Sequence, residues 1–118
     1  MSLKTKDYGE VTLLTLGGKM MHGETSSKLQ PFIKDLISQG KTKLVVDMGK
    51  VKWFNSTGLG SLLASYTSVK NADGAMKIAR PTRKISSVFY QMELNSVFET
   101  FETIEEAVES FKVSKEVK

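Results

Sequence analysis

The stretch that decides the fold is Leu44–Leu63, LVVDMGKVKWFNSTGLGSLL. Its first five residues are almost all apolar, a pattern typical of a strand that is covered on both faces. Its last residues place Leu59, Leu62 and Leu63 at the spacing of one helical face. The segment therefore predicts a strand at the centre of a sheet and then a helix, joined by a tight turn at Asn55–Gly58.

The N-terminal third predicts two strands and a helix. Val11–Leu16 is β-branched and apolar and ends at a Gly-Gly pair, and the lysine-rich Leu3–Tyr8 is expected to pair with it as an edge strand. A helix is expected from Thr25, with Ser26 or Ser27 as its cap and Pro31 in its first turn. Gly40 is expected to end this helix. The apolar face of the helix comprises Leu29, Phe32, Ile33, Leu36 and Ile37.

The C-terminal half predicts a strand at Ala75–Ala79, a helix that starts at Pro81-Thr82, and a weak last strand at Ser96–Phe98. Thr103 and Glu106 form a capping box that opens a final helix. The residues after Lys112 show no pattern, and we expect them to fray. The apolar faces of the two helices comprise Ile85, Val88, Phe89 and Met92, and Ile104, Ala107, Val108 and Phe111.

Strands that alternate with helices predict an α/β fold: one domain over residues 1–118, with a mixed sheet, a parallel centre and about four flanking helices. The expected ordered core is residues 3–112, and residues 113–118 form a tail. The 118 residues, of which 40% are hydrophobic, are enough for one core. The sequence contains no cysteine, no apolar stretch of membrane-spanning length and no apolar segment of a secretion signal at its start. We expect a cytoplasmic protein that does not insert into a membrane.

The net charge of +4 is unevenly distributed along the chain. The middle, from Lys41 to Tyr90, is basic and has Asp47 and Asp73 as its only acids, whereas the following segment has acids and no base. This distribution favours a charged partner. Direct binding of nucleic acid is not expected, because the chain lacks an arginine-rich run, a stacking-aromatic motif and a recognisable reading helix. The acids of the later segment are Glu93, Glu99, Glu102, Glu105, Glu106 and Glu109.

Catalytic chemistry finds little support in the sequence. The single histidine, His22, is expected in the loop after the second strand, and only Glu24 is close enough in sequence to orient it. We interpret His22 as a solvent-facing loop residue. One histidine, no cysteine and scattered acids do not form a metal site. We therefore expect no catalytic residue, no metal and no cofactor, and the chain is not expected to be an enzyme.

The turn Asn55–Gly60 is the segment that could carry chemistry. It places two hydroxyls and a glycine at a helix start, where free backbone N–H groups and aligned peptide dipoles stabilise an anion. A phosphate on Ser56 could be held there. The alternative is that Asn55, Ser56 or Thr57 only caps the helix and that the glycines permit close packing. A nucleotide-binding phosphate loop is excluded, because the required glycine spacing and lysine are missing.

The sequence resembles the STAS domain proteins of bacteria, in particular the anti-sigma factor antagonists, over nearly its whole length. The most specific part is Leu44–Met48, Val51 and Phe54–Leu63, which looks like the family's strand, turn and Asp-Ser-Ser/Thr-Gly-Leu-Gly signature. Two further segments, Lys70–Ile78 and Phe98–Phe111, also resemble the family. Two positions differ from the family: Asn55 stands in place of the signature's acid, and Met20-Met21 in place of a frequent Leu-Asp. The site consequently lacks two carboxylates, which suits a phosphate or another anion.

The resemblance implies a partner-switching role without catalysis. An unphosphorylated antagonist binds an anti-sigma factor, often a serine kinase, and thereby frees a sigma factor; phosphorylation, which a phosphatase reverses, breaks the complex. The phosphorylated hydroxyl matches Ser56 by resemblance, although the residues alone leave Thr57 open. The implied partner-binding residues are Asn55, Ser56, Thr57, Gly58, Leu59 and Gly60, with the exposed face of the helix that follows. Two alternatives remain: a cytoplasmic accessory subunit of a lipid-transport ATPase, and an unphosphorylated scaffold of a stress-signalling complex.

Overall fold

The computed structural model describes residues 2–20 and 22–116. In these ranges the chain forms strands and helices that alternate after an initial hairpin, as the sequence predicts. The elements are β1 Ser2–Tyr8, β2 Val11–Met20, α1 His22–Ser38, β3 Lys43–Phe54, α2 Ser56–Asn71, β4 Ala75–Ala79, α3 Arg83–Gln91, β5 Thr100–Phe101 and α4 Ile104–Glu116.

The strands form one five-stranded sheet in the order β1-β2-β3-β4-β5. The edge strand β1 is antiparallel to β2, and every later neighbour pair is parallel. The apolar run Leu44–Met48 therefore lies in the central strand, and all five residues are buried. This confirms the α/β fold, the mixed sheet with a parallel centre and the four flanking helices.

The two faces of the sheet are covered differently. On the face that we call the three-helix face, Leu14, Leu44 and Ile78 of the sheet pack with buried residues of α1, α2 and α3. On the opposite face, which we call the α4 face, Val45 and Ala79 of the sheet pack with the single helix α4. Because side chains alternate along a strand, β2, β3 and β4 each supply both cores.

The central strand is longer on one side than on the other. Residues 50–54 of β3 still pair with β2. The pairing of β3 with β4 ends earlier, at Asp47 and Ala79. The last residues of the paired strands β2 and β3 therefore extend beyond the end of β4. They place Phe54, and then Asn55, at the C-terminal edge of the sheet, by which we mean the side where the parallel strands end.

The first helix starts earlier than the sequence predicts. We expected a start near Thr25 with Ser26 or Ser27 as the cap, but α1 begins at His22. The prediction placed Pro31 in the first turn because proline has no N–H to donate; in α1 it lies inside the helix instead. We expected His22 to lie in a loop, and this is wrong, because its backbone is the first residue of α1. The departure noted at Met20-Met21 falls partly outside the described residues, since Met21 is not among them.

Three details of the C-terminal half also differ. The last strand is Thr100–Phe101 and not Ser96–Phe98, because the latter segment forms a turn in which the N–H of Phe98 donates to the carbonyl of Leu94. Met92 does not join the apolar face of α3: it follows the helix end and is 59% exposed. Helix α4 continues to Glu116, further than the pattern indicated, because extending an existing helix costs little.

Candidate functional site

The turn Asn55–Gly60 forms the start of α2. Asn55 has an extended backbone, with φ −127° and ψ −175°, and its side-chain oxygen accepts a hydrogen bond of 3.0 Å from the N–H of Gly58. Its carbonyl accepts from the N–H of Leu59 at 2.9 Å, the first bond of the helix. Asn55 is therefore the N-cap, and Ser56 and Thr57 occupy the first two helical positions.

Because Asn55 caps the helix, the two hydroxyl side chains do not. Ser56 and Thr57 are both exposed, while Asn55 is half-buried. Gly58 and Leu59 face the interior, and Leu59, at 6% exposure, belongs to the core of the three-helix face. Of the six residues that the resemblance carries over, the exposed ones are Ser56, Thr57 and Gly60, which we call the switch surface.

No close contact within this chain requires a glycine at position 60. A Cβ built on Gly60 would meet no heavy atom within 4 Å, and its φ is not in the left-handed region. Glycine inside a helix is destabilising by about 0.5–1 kcal/mol relative to alanine. The expectation that this glycine permits close packing within the chain is thus not met. A bare patch of helix backbone instead lies open one turn after Ser56.

The switch surface rests on a rigid support. Ser61, buried on α2, accepts a hydrogen bond of 3.4 Å from the Nε2 of Gln30 on α1. The ring of Phe54, which directly precedes Asn55, meets the ring of Phe89 on α3 edge to face, with centroids 6.3 Å apart. Aromatic pairs in this arrangement stabilise beyond the area they bury. Helices α1 and α3 thereby fix the position at which α2 begins.

The charges at the C-terminal edge of the sheet are segregated. Neither α2 nor α3 has an acid in its first turn, and α3 begins with Arg83 and Lys84. Helix α4, which starts at the same edge after β5, has Glu105 and Glu106 in its first turn. The helix dipole is complemented by acids at α4 and left uncomplemented at α2, so an anion near Ser56 meets a favourable field.

An ion pair between a buried carboxylate and a partly exposed guanidinium, which the sequence analysis did not identify, links β3 to the residue after β4. Asp47, at 1% exposure, accepts hydrogen bonds of 2.8 Å from both Nε and Nη2 of Arg80 and one of 3.0 Å from the N–H of Gly49. The hydrogen bond and the charge of Asp47 raise the pKa of Arg80. The pair joins the middle of β3 to the residue that follows β4. The feature of the sequence that could have indicated this pair is Asp47, an acid inside an otherwise apolar strand.

The described residues contain no cluster of three or more histidine, cysteine or acidic side chains that could hold a metal ion. The side chain of His22 is not among those described. A cavity of about 600 Å³ lies on the α4 face, between the β1–β2 turn and α4, where Tyr8 and Val108 are among its lining residues. It is separated from the switch surface by the sheet. No helix in the described part of the chain is long and apolar enough to cross a membrane.

Comparison with known proteins gives one family. The family model described as STAS domain matches residues 2–107. Among solved structures, the chain is similar to the phosphorylated form of the Bacillus cell fate determinant SpoIIAA, with a TM-score of 0.74, 20% identity, and 93% and 99% of the two chains covered.

Two further structures show that the same fold occurs in different settings. An anti-sigma factor antagonist from Mycobacterium paratuberculosis has a TM-score of 0.80 and 18% identity, with 92% of each chain covered. A sulfate transporter family protein from Wolinella succinogenes has a TM-score of 0.77 and 15% identity, with 91% of this chain and 88% of that chain covered. At such identities the likeness shows the fold alone.

Proposed function

The chain belongs to the STAS domain family, and on that basis we propose that it is an anti-sigma factor antagonist that switches partners through Ser56. When Ser56 is unphosphorylated, the switch surface binds an anti-sigma factor that is also a serine kinase. When the kinase phosphorylates Ser56, the complex separates. The protein thereby controls transcription that depends on a sigma factor. It works in the cytoplasm without contacting nucleic acid and without catalysing a reaction itself.

The observation that carries this proposal is the combination of an exposed Ser56 and an exposed Gly60 on one stable helix start. The Asn55 cap leaves the hydroxyl of Ser56 accessible to a kinase. The open space at Gly60 allows the backbone of a partner to approach α2 closely. A surface with these two properties suits tight protein contact that one modification can break.

The physical basis of the switch is a change of charge and volume in a packed interface. Phosphorylation adds about −1.5 to −2 charge and three acceptor oxygens. At the first position of α2 the phosphate is held by free backbone N–H groups. No negative charge there repels the phosphate, because Asn55 is uncharged and the first turn of α2 contains no acid. The antagonist accommodates the phosphate. A partner that had covered Ser56 loses its contact and has to desolvate a charged group instead.

The alternative within the family is an accessory subunit of a transporter, such as a lipid-transport ATPase. The similarity to a sulfate transporter family protein supports it, because its TM-score of 0.77 lies between those of the two antagonists, 0.74 and 0.80. The two functions differ in their partner. An ATPase subunit as the dominant partner, with no kinase-like protein, would favour the transporter role. A chain that is never phosphorylated in any complex would favour a scaffold.

The test uses the protein from its own cells, in growth and under stress, purified through a tag together with its partners. Intact mass and peptide mapping report phosphate, and mass spectrometry identifies the bound proteins. We expect a phosphate on Ser56 whose fraction changes with conditions, and a kinase-type anti-sigma factor bound to the unphosphorylated form. The matched control is Ser56→Ala, which should bind the partner permanently. No phosphate on Ser56 under any condition would contradict the switch.

A further inference from the structure

Helix α3 exposes a face whose residues lie along one line. Arg83, Ser87 and Tyr90 are spaced i, i+4 and i+7, so they extend over about 10.5 Å of helix. Tyr90 is 74% exposed, and Met92, just after the helix end, is 59% exposed; they are the exposed large hydrophobic residues of the described chain. We call Arg83, Lys84, Ser87, Tyr90 and Met92 the α3 surface.

The charges of the α3 surface are unfavourable for the helix itself. Arg83 and Lys84 are exposed bases in its first turn, next to the positive end of the helix dipole. The nine residues of α3 include no acid. Stability would favour acids here, as in α4, where Glu105 and Glu106 occupy the first turn. A helix that begins with two bases presents a positive surface that suits an acidic partner.

Helix α3 is connected to the start of α2 through one aromatic contact. Phe89 of α3 meets Phe54 edge to face, and only Asn55 lies between Phe54 and Ser56 in the chain. The two helices also follow neighbouring parallel strands, β3 and β4, whose C-terminal ends lie at the same edge of the sheet. A partner that covers Ser56 therefore has α3 within reach.

We infer that the α3 surface binds an acidic, partly apolar segment of the same protein that the switch surface binds, and so determines which anti-sigma factor is recognised. The inference rests on the proposed function. Tyr90 and Met92 provide apolar contact, Arg83 provides charge, and the small side chain of Ser87 between them leaves room for the segment. Exposed aromatic residues of this kind contribute a large share of the energy at protein interfaces.

The surroundings of α3 favour a protein over a nucleic acid. A nucleic acid requires a broad positive surface along its phosphate backbone. The α3 surface has only two bases, Arg83 and Lys84. Two bases are too few for a run of phosphates. Together with Tyr90 they form a small positive and aromatic area, which matches a short acidic segment.

The experiment measures the affinity of the purified partner from the tagged complex for five forms of the chain by titration calorimetry. The forms are wild type, Ser56→Asp, Arg83→Glu, Tyr90→Ser, and the control Lys70→Glu, which changes an exposed base in the last turn of α2. We expect at least a fivefold weakening for Arg83→Glu, at least a tenfold weakening for Tyr90→Ser, and less than a twofold change for the control. Circular dichroism confirms that each form is folded.

Affinities of both α3 variants within twofold of wild type would overturn the inference. If Ser56→Asp abolishes binding while the α3 variants do not, the proposed switch stands and this inference alone fails. If the α3 variants weaken binding and Ser56→Asp does not, the α3 surface binds the partner but the proposed switch at Ser56 fails. Wild-type binding to a mixed-sequence DNA duplex that is lost in Arg83→Glu would also overturn it, as would the absence of any bound protein.

Discussion

The two faces of the sheet differ in what they bury. The large buried side chains of the three-helix face are apolar, and Phe89 and Phe98 stack there with ring centroids 5.0 Å apart. The α4 face buries two charges, Asp47 and Lys77, at 1% and 6% exposure. The ammonium of Lys77 lies 4.3 Å from the ring centroid of Phe111 and donates to Ser110 at 2.8 Å. The switch surface is thus built on the more apolar of the two cores.

The helices at the C-terminal edge show the same division. On the α4 face, α4 is preceded by Thr103, whose hydroxyl accepts from the N–H of Glu106 at 3.0 Å, and it has acids in its first turn. On the three-helix face, α2 contains a costly Gly60 and α3 begins with two bases. The α4 sequence satisfies helix stability, whereas the sequences of α2 and α3 depart from it where we propose that a partner binds.

The largest expected effect is a difference between the two cores. Phe98→Ala should lower the free energy of unfolding by about 3–5 kcal/mol, because it removes a ring that packs on Phe89 and on Tyr66 in a core with little freedom to collapse. Phe111→Ala should cost less, about 2–3 kcal/mol, because its site opens towards solvent. Urea denaturation measures both. Equal losses would show that the two faces contribute alike.

Asp47→Ala tests the ion pair of the α4 face. It leaves the N–H of Gly49 and the guanidinium of Arg80 without their acceptor, and should cost about 2–3 kcal/mol of unfolding free energy. The cost stays in this range because the Arg80 side chain is 41% exposed and can turn to water. The control Asp47→Asn keeps an acceptor for Gly49 and should cost less. An unchanged midpoint for Asp47→Ala would contradict the structural role.

Gly60→Ala should separate stability from binding. The added methyl group meets open space, so the helix should gain about 0.5–1 kcal/mol of stability. Partner affinity should fall at least fivefold, because the methyl group stands where we propose a close approach. Thr67→Ala, on an exposed part of α2 further from Ser56, is the matched control for affinity. A more stable variant with unchanged affinity would remove Gly60 from the interface.

The smallest expected effect concerns the free energy of unfolding at acidic pH. It involves Asp7, at the end of the sheet opposite the switch surface. Hydrogen bonds from Lys41 and Thr12 lower the pKa of Asp7 in the folded chain. The stabilisation by Asp7 is therefore present at neutral pH and is lost as the pH falls through this lowered pKa. Asp7→Asn should reduce the free energy of unfolding at neutral pH but not at strongly acidic pH. A pH-independent difference between the variants, measured by urea denaturation, would contradict this.

Much of the fold follows from periodicity in the sequence. The alternation of apolar strands and amphipathic helices predicted β4 and α2 close to their observed limits, because these elements are strongly patterned. It also predicted where β2 and β3 begin, but both strands continue past their predicted ends at Leu16 and Met48, to Met20 and Phe54. The short β5 escaped the prediction because two residues carry no period. The start of α1 was missed because we placed Pro31 in the first turn, where a proline does not destabilise a helix. In α1 the proline lies inside the helix, and the packing of the other residues outweighs its destabilising effect.

The candidate site was predictable in its local part only. Residue type and position predicted a cap at Asn55, Ser56 or Thr57, and the structure shows that Asn55 is the N-cap. The division of Gly58 to Gly60 into buried and exposed residues depends on the rotation of α2 against the sheet, which a turn motif does not specify. The Asp47–Arg80 pair joins residues 33 positions apart and was outside any local pattern. The nearness of α3 to Ser56 likewise required the observed contact of Phe54 and Phe89.

The most direct measurement of the central claim compares one interaction in two chemical states. The chain is prepared unphosphorylated and with phosphoserine incorporated at position 56, and the Kd of each for the purified partner is measured by titration calorimetry. The account predicts tight binding of the unphosphorylated chain and at least a tenfold weaker Kd for the phosphorylated one, with both forms folded. Equal Kd values would contradict the proposal that Ser56 is the switch.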